Sequence, residues 1–198
     1  LLRGVTTHCI TSHTKSNSGA QYQMTTPPDK LASLKPLERA IFYAAVREYD
    51  PALVVLQQVL QDANLAATQP FEWEKGVRLA LNISVRVEHN PTKALAIVDR
   101  VLAMGKAPFF LKEQGKHWRT ALLAWKDEAP RKEMTVSNLR TEAKRLISLA
   151  QKQQRFPADR SGDVYYLRAS ARLHQLLEKN PAGDVAQEAF YRLGLCSE

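Results

Sequence analysis

An all-α protein built from antiparallel helix hairpins, stacked one on the next, is the fold class this chain predicts. Three observations predict it. The chain repeats itself: Ala52-Leu53-Val54-Val55-Leu56-Gln57-Gln58-Val59-Leu60 returns 42 residues later as Ala94-Leu95-Ala96-Ile97-Val98-Asp99-Arg100-Val101-Leu102, and a looser copy spans Ala169 to Leu177. Self-similarity at such a period marks stacked supersecondary units, each burying an apolar face against its neighbour. The punctuation repeats too, with Asp50-Pro51, Asn90-Pro91 and Asn180-Pro181 each opening a new segment. An Asx side chain can accept from first-turn amides, and proline loses nothing there because its N–H would be unpaired anyway. Finally, no stretch from Leu31 onward alternates apolar and polar residues at period two between turn signals.

Residues 1–30 read as an irregular leader, rich in Thr, Ser and Asn and broken by Gly19, Pro27 and Pro28. Residues 31–198 read as one helical repeat domain. Pro36 suits the first turn of a helix reaching Tyr49, with Leu37, Ile41, Ala44 and Ala45 on one stripe. Asp50 is expected to cap a second helix that ends near Ala63. A third runs from Pro70 to about Glu88, and a fourth from the Asn90-Pro91 cap to Gly105. Pro108 opens a fifth, with Trp118, Leu122 and Trp125 in register, and Pro130 closes it. The sixth covers Val136 to Gln154, the seventh Asp163 to Lys179, and the eighth begins near Asp184. Eight helices in four hairpins follow, because short connections force neighbours to pack antiparallel.

With 198 residues, 44% of them hydrophobic, the chain can bury a core. No run of about 18 apolar residues exists to span a membrane. The start at Leu1, without methionine or signal-peptide pattern, is read as processing or trimming. Cys9 and Cys196 match no disulfide framework and are read as free thiols, with a single bridge between them left open. The formal net charge of +8 is unevenly placed. Residues 100–155 carry 13 Lys/Arg against 5 Asp/Glu, and the rest of the chain is balanced. Such a zone points to an acidic protein or peptide, a membrane surface or nucleic acid, or to a solvated helix face.

The last helix carries Phe190-Tyr191-Arg192-Leu193-Gly194-Leu195-Cys196-Ser197, which resembles the first helix of a tetratricopeptide (TPR) pair. Phe190 stands for the usual Trp, Leu193-Gly194 is intact, and Ser197 replaces the usual Tyr. Ala40, Tyr43 and Ala52 fit the same pattern in the first hairpin, and Leu81 and Ala94 fit it in the second. Residues 105–157 match only through the alternation of helices. The resemblance implies a TPR-like α-solenoid acting as a non-catalytic scaffold for a protein or peptide. The chain stops inside what looks like the first helix of a new pair. It is therefore expected to belong to a longer array or to end in a cap. An incomplete pair implies exposed Phe190, Leu193 and Leu195, or self-association through that helix.

Candidate binding residues follow from charge and spacing. Arg39 and Arg47 lie on the first predicted helix, Arg78 and Arg86 on the third. Arg78 and Arg86 are eight apart and so share a face about two turns apart. Their guanidinium forks suit carboxylates. The sixth helix is densest in charge, with Arg140, Lys144 and Arg145 as the leading candidates for an acidic partner. It carries no aromatic residue, which argues against single-stranded nucleic acid. Phe109, Phe110, Trp118 and Trp125 read as core rather than as a stacking platform, and Trp118, Leu122 and Trp125, at helical spacing, are assigned to packing.

Cys9-Ile10-Thr11-Ser12-His13 resembles the attachment motif of c-type haem with Ser12 in place of the second cysteine. Cys9 would supply one thioether link and His13 the axial ligand. The alternative function is therefore a haem-carrying or redox protein, and that motif tips the compartment toward a bacterial periplasm or envelope over the cytoplasm. No phosphate loop, nucleophile elbow or zinc motif is present, so no enzyme is read here; a further alternative is the helical platform of a larger enzyme.

Overall fold

The computed structural model describes residues 28–128, 134–156 and 158–197, and every regular element among them is helical. Cys9 and His13 lie outside the described residues. Contacts divide the chain into two compact units, residues 1–56 and 57–198.

In the first unit, α1 (Pro28–Ser33) and α2 (Pro36–Ala45) precede the start of α3 (Tyr49–Gln61). The carboxylate of Glu38 accepts from the Lys35 amide at 3.1 Å, closing the first turn of α2. That helix stops four residues short of the predicted Tyr49. The Glu48 amide donates to the Tyr43 carbonyl at 2.8 Å, and the Arg47 amide donates to Ala44 at 3.1 Å. Arg47 itself takes a left-handed φ of 64°. This is a Schellman ending with arginine where glycine is usual, at a cost of about 1 kcal/mol. Asp50 is consequently not a cap: α3 begins before it, and Asp50 sits in its first turn. Ala52, the repeat alanine, is fully buried.

In the second unit, α4 (Ala63–Thr68) was not expected from periodicity; Asp62 caps it, accepting from the Leu65 amide at 2.8 Å. Helix α5 (Pro70–Asn82) runs directly into a π-helical turn, Ile83–Val87, closed by His89 at φ 52°. Asn90 caps α6 (Pro91–Ala103) as predicted, its side chain accepting from Lys93 at 3.0 Å. Then come α7 (Phe109–Lys126), α8 (Val136–Gln153), α9 (Asp163–Glu178) and α10 (Gly183–Leu195), all within a few residues of expectation.

The most extensive packing joins α6 to α7 and α8 to α9, whereas the sequence grouped α5 with α6 and α7 with α8. The α8–α9 pair is antiparallel: Leu139 and Ala143 cluster with Leu173 and Leu176, and Leu146 and Ile147 with Ala169. Helix α9 also packs on α10, α7 and the π turn, which makes it the hub of this unit. Trp73, Trp118, Leu111 and Leu122 are completely buried. The second repeat alanine, Ala94, is also fully buried. Enlarging Ala52 or Ala94 to Leu is expected to cost about 1–3 kcal/mol by overpacking, read as a lower denaturation midpoint.

Candidate functional site

The second unit contains a groove of about 460 Å³ between α5 with its π turn, the loop that enters α9, α9 itself and the end of α10. Apolar Leu79, Leu81 and Leu167 form part of its lining. Four cations line it as well: Lys75, Arg78, Arg86 and Arg160. Asp163 is the lone carboxylate of the lining, and Asn82, Tyr166 and Ser170 add neutral polar groups.

Each charged group is placed by identifiable local structure. Arg78 stands on α5 and reaches Asp163 at 3.2 Å and Glu74 at 3.9 Å. Arg86 stands on the π turn, which inserts one extra residue per turn and so turns residue 86 away from the strict α register. Arg86 forms no ion pair among the described residues. Its charge is nonetheless felt on α9, where burial and then the Arg86 guanidinium hold the His174 pKa below its ordinary value.

The loop into α9 is tied down from several sides. Trp118 donates its indole N–H to the Arg160 carbonyl at 2.7 Å. Asp159 accepts from the Ser161 hydroxyl at 2.6 Å, the Ser161 amide at 2.9 Å and the Arg155 amide at 3.0 Å. Burial works to raise the Asp159 pKa, but these hydrogen bonds outweigh it and hold the carboxyl below its usual value. Gln154 links the α8 end to the same loop, donating to the Asp159 carbonyl at 2.9 Å and accepting from the Tyr166 hydroxyl at 2.9 Å. At Gly162 a Cβ would stand 2.7 Å from the Ala150 carbonyl oxygen, so only glycine lets the loop press against α8 this closely.

Asp163 is the strained member of the set. Burial pushes its carboxyl up to about 6, although Arg78 and Arg160 pull the other way. At neutral pH it is ionised and occupies Arg78; near pH 5 it is protonated. Cys196 at the end of the groove is raised by burial to about 11, so its thiol is protonated at neutral pH and a poor nucleophile.

The other sequence candidates sit elsewhere. Arg39 and Arg47 belong to the first unit and are not among the lining residues; Arg47 serves the turn after α2, and the buried Arg39 Nε has no hydrogen-bond partner among the described residues. Arg140 and Lys144 on α8 both meet Glu188 of α10, the latter at 2.9 Å, and Arg192 joins the same carboxylate at 2.7 Å. These three cations lower the Glu188 pKa to about 2. Arg145 forms a two-pronged pair with Glu142, at 2.8 and 2.9 Å. Of the seven arginine and lysine candidates, only Arg78 and Arg86 share the groove. Lys75, Arg160 and Asp163 escaped the sequence reading. The only signal was the Asp159–Asp163 turn, whose polar residues mark a loop without saying where it points.

Two aromatic assignments also differ. Trp118 is fully buried, and Trp125 packs under the Arg168 guanidinium, 4.7 Å from its ring centroid. Phe109 and Phe110 are exposed instead of packed. Their place at the first turn of α7 leaves the apolar stripe to Leu111, Trp118 and Leu122.

Among the described residues no helix is long and apolar enough to cross a membrane. No protein-family model, curated protein or solved structure matches the chain.

Proposed function

We propose that this protein is a non-catalytic binding module of TPR-like helical hairpins, and that its groove captures an acidic peptide segment of a protein partner. The observation that carries the reading is the lining of the groove: four cationic side chains and one carboxylate, with Leu79, Leu81 and Leu167 among the same lining residues. Arginine forks pair with carboxylates through two parallel hydrogen bonds, and the leucines give a peptide's apolar atoms somewhere to go. The carboxylate of a bound ligand takes the place Asp163 holds on Arg78, so the groove is already shaped for that group. The repeated Ala52 and Ala94 segments, both with buried alanines, support the repeat reading.

Fluorescence anisotropy with a labelled polyglutamate peptide tests this. Saturable binding that weakens as salt rises is the expected result, since the charges lie at a partly open surface. Equal affinity for polyglutamate and for a polyglutamine peptide of the same length would sink the reading.

A further inference from the structure

The start of α7 exposes apolar surface that no neighbour covers among the described residues. Phe109 is 78% exposed and Phe110 37%. Phe71, in the first turn of α5, is 69% exposed, and its ring stacks on Phe110 with centroids 6.2 Å apart and planes inclined by 26°. A scattered exposed apolar residue is ordinary, but three phenylalanines at the adjoining starts of two helices form a patch.

The chain around the patch is cationic. Residues 100–112 contain Arg100, Lys106 and Lys112 and no carboxylate. Lys112 reaches back to the Gly105 carbonyl at 3.4 Å, which holds its ammonium beside the aromatic turn. The nearest carboxylates are already matched: Glu72 pairs with Lys75 at 2.6 Å and Glu113 with Lys116 at 2.5 Å. The basic excess of the 100–155 zone is therefore uncompensated here, while on α8 it is spent on internal pairs.

We propose that Phe71, Phe109 and Phe110, with Lys106 and Lys112, form a docking surface for the interface of an anionic lipid bilayer. Aromatic rings enter the boundary between headgroups and acyl chains, and lysine stems are long enough to keep their charge at the anionic headgroups. Charge complementarity selects this occupant. The patch sets exposed apolar rings beside Lys106 and Lys112 in a stretch that holds no carboxylate, which suits an anionic surface. The inference is independent of the groove, which lies on other residues.

Flotation with vesicles tests it, comparing phosphatidylcholine alone with phosphatidylcholine containing phosphatidylserine, at low and at physiological salt. The parent protein is expected to float with the anionic vesicles only, and less at higher salt. Phe71→Ala/Phe109→Ala/Phe110→Ala should weaken flotation at least tenfold. Lys106→Glu/Lys112→Glu should weaken it by at least about fivefold per lysine. Phe109→Ala alone, at the most exposed ring, keeps the test alive should the triple variant unfold. Arg78→Glu/Arg86→Glu should float like the parent. Three results would overturn the proposal: no flotation with either vesicle, flotation unchanged in the phenylalanine variants, or flotation lost only in the groove variant. Sedimentation velocity without lipid adds a fourth: a dimer abolished by the phenylalanine substitutions, with no vesicle binding, would mean that a second copy covers the patch.

Discussion

Two basic regions of this protein differ in what surrounds their charge. On α8, Arg140, Lys144 and Arg145 are denser in sequence than any other cations, yet Glu188, Glu142 and Glu128 answer them within the fold. Three cations converge on Glu188 alone. In the groove, Lys75, Arg78, Arg86 and Arg160 belong to the lining, with Asp163 as the one carboxylate among the lining residues. The α8 face is a brace between α8 and α10; the groove has more cations than carboxylates in its lining, although Lys75 pairs with Glu72 and Arg78 with Asp163 and Glu74. What separates the two regions is Arg86, which forms no ion pair among the described residues, and Arg78, whose partner Asp163 loses its charge near pH 6; charge density along the chain does not mark either.

The sharpest way to break this contrast is charge reversal in both regions. Arg78→Glu/Arg86→Glu should weaken polyglutamate binding at least about 100-fold, or roughly 3 kcal/mol, because two forks are lost and two repulsions gained. Lys144→Glu/Arg145→Glu should change it less than about threefold, a long-range effect damped by salt. Comparable losses in anisotropy titrations would mean that the α8 cations bind ligand after all.

Next in size is Gly162→Ala. The new Cβ meets the Ala150 carbonyl oxygen, so the loop must back away from α8. A stability loss of about 1–3 kcal/mol in urea unfolding is expected, and peptide affinity should fall with it. Unchanged affinity in the folded variant would show that loop placement does not shape the groove.

A smaller effect follows from Asp163. Its folded pKa of about 6 lies above the ordinary carboxyl value, so the native state holds this proton more tightly than the unfolded chain. Stability from this group is therefore gained as pH falls from 7 to 5, by about 1 kcal/mol, and is absent above pH 7. Protonation also removes the one negative charge from the lining, so peptide should bind more tightly at pH 5.5 than at 7.5. Glu74, Asp159, Arg78 and Arg160 act on the same carboxyl and shape the midpoint. In Asp163→Asn both trends should vanish; persistence of either would assign it to another group.

The smallest change belongs to Glu188→Gln on the braced face. Glu188 is half-buried but its partners Arg140 and Lys144 are 41% and 42% exposed, so these pairs contribute about 1 kcal/mol and fade with salt. With its pKa lowered from 4.5 to about 2, Glu188 stabilises the fold at neutral pH and loses that contribution progressively as pH falls from about 4.5 through about 2. Melting in low and high salt should show a loss confined to low salt, with peptide affinity unaltered.

The sequence by itself determined the helical class, most helix positions from α5 onward, and the Asn90 cap of α6. Those features rest on apolar spacing of three and four residues and on cap chemistry, both local in the chain. Its α-helical spacing also predicted a shared face for Arg78 and Arg86, but residues 83–87 are π-helical, so that spacing is not what brings both to the groove. Only the tertiary structure decided what each charge meets. Glu188 is 48 residues from Arg140 and Asp163 is 85 from Arg78, separations that no local pattern encodes. The pairing of α6 with α7, the π turn beneath Arg86 and the Schellman ending at Arg47 were likewise beyond sequence reading. Each reflects the balance between local backbone preference and the packing of surfaces distant in the chain, and packing is settled only when the helices meet.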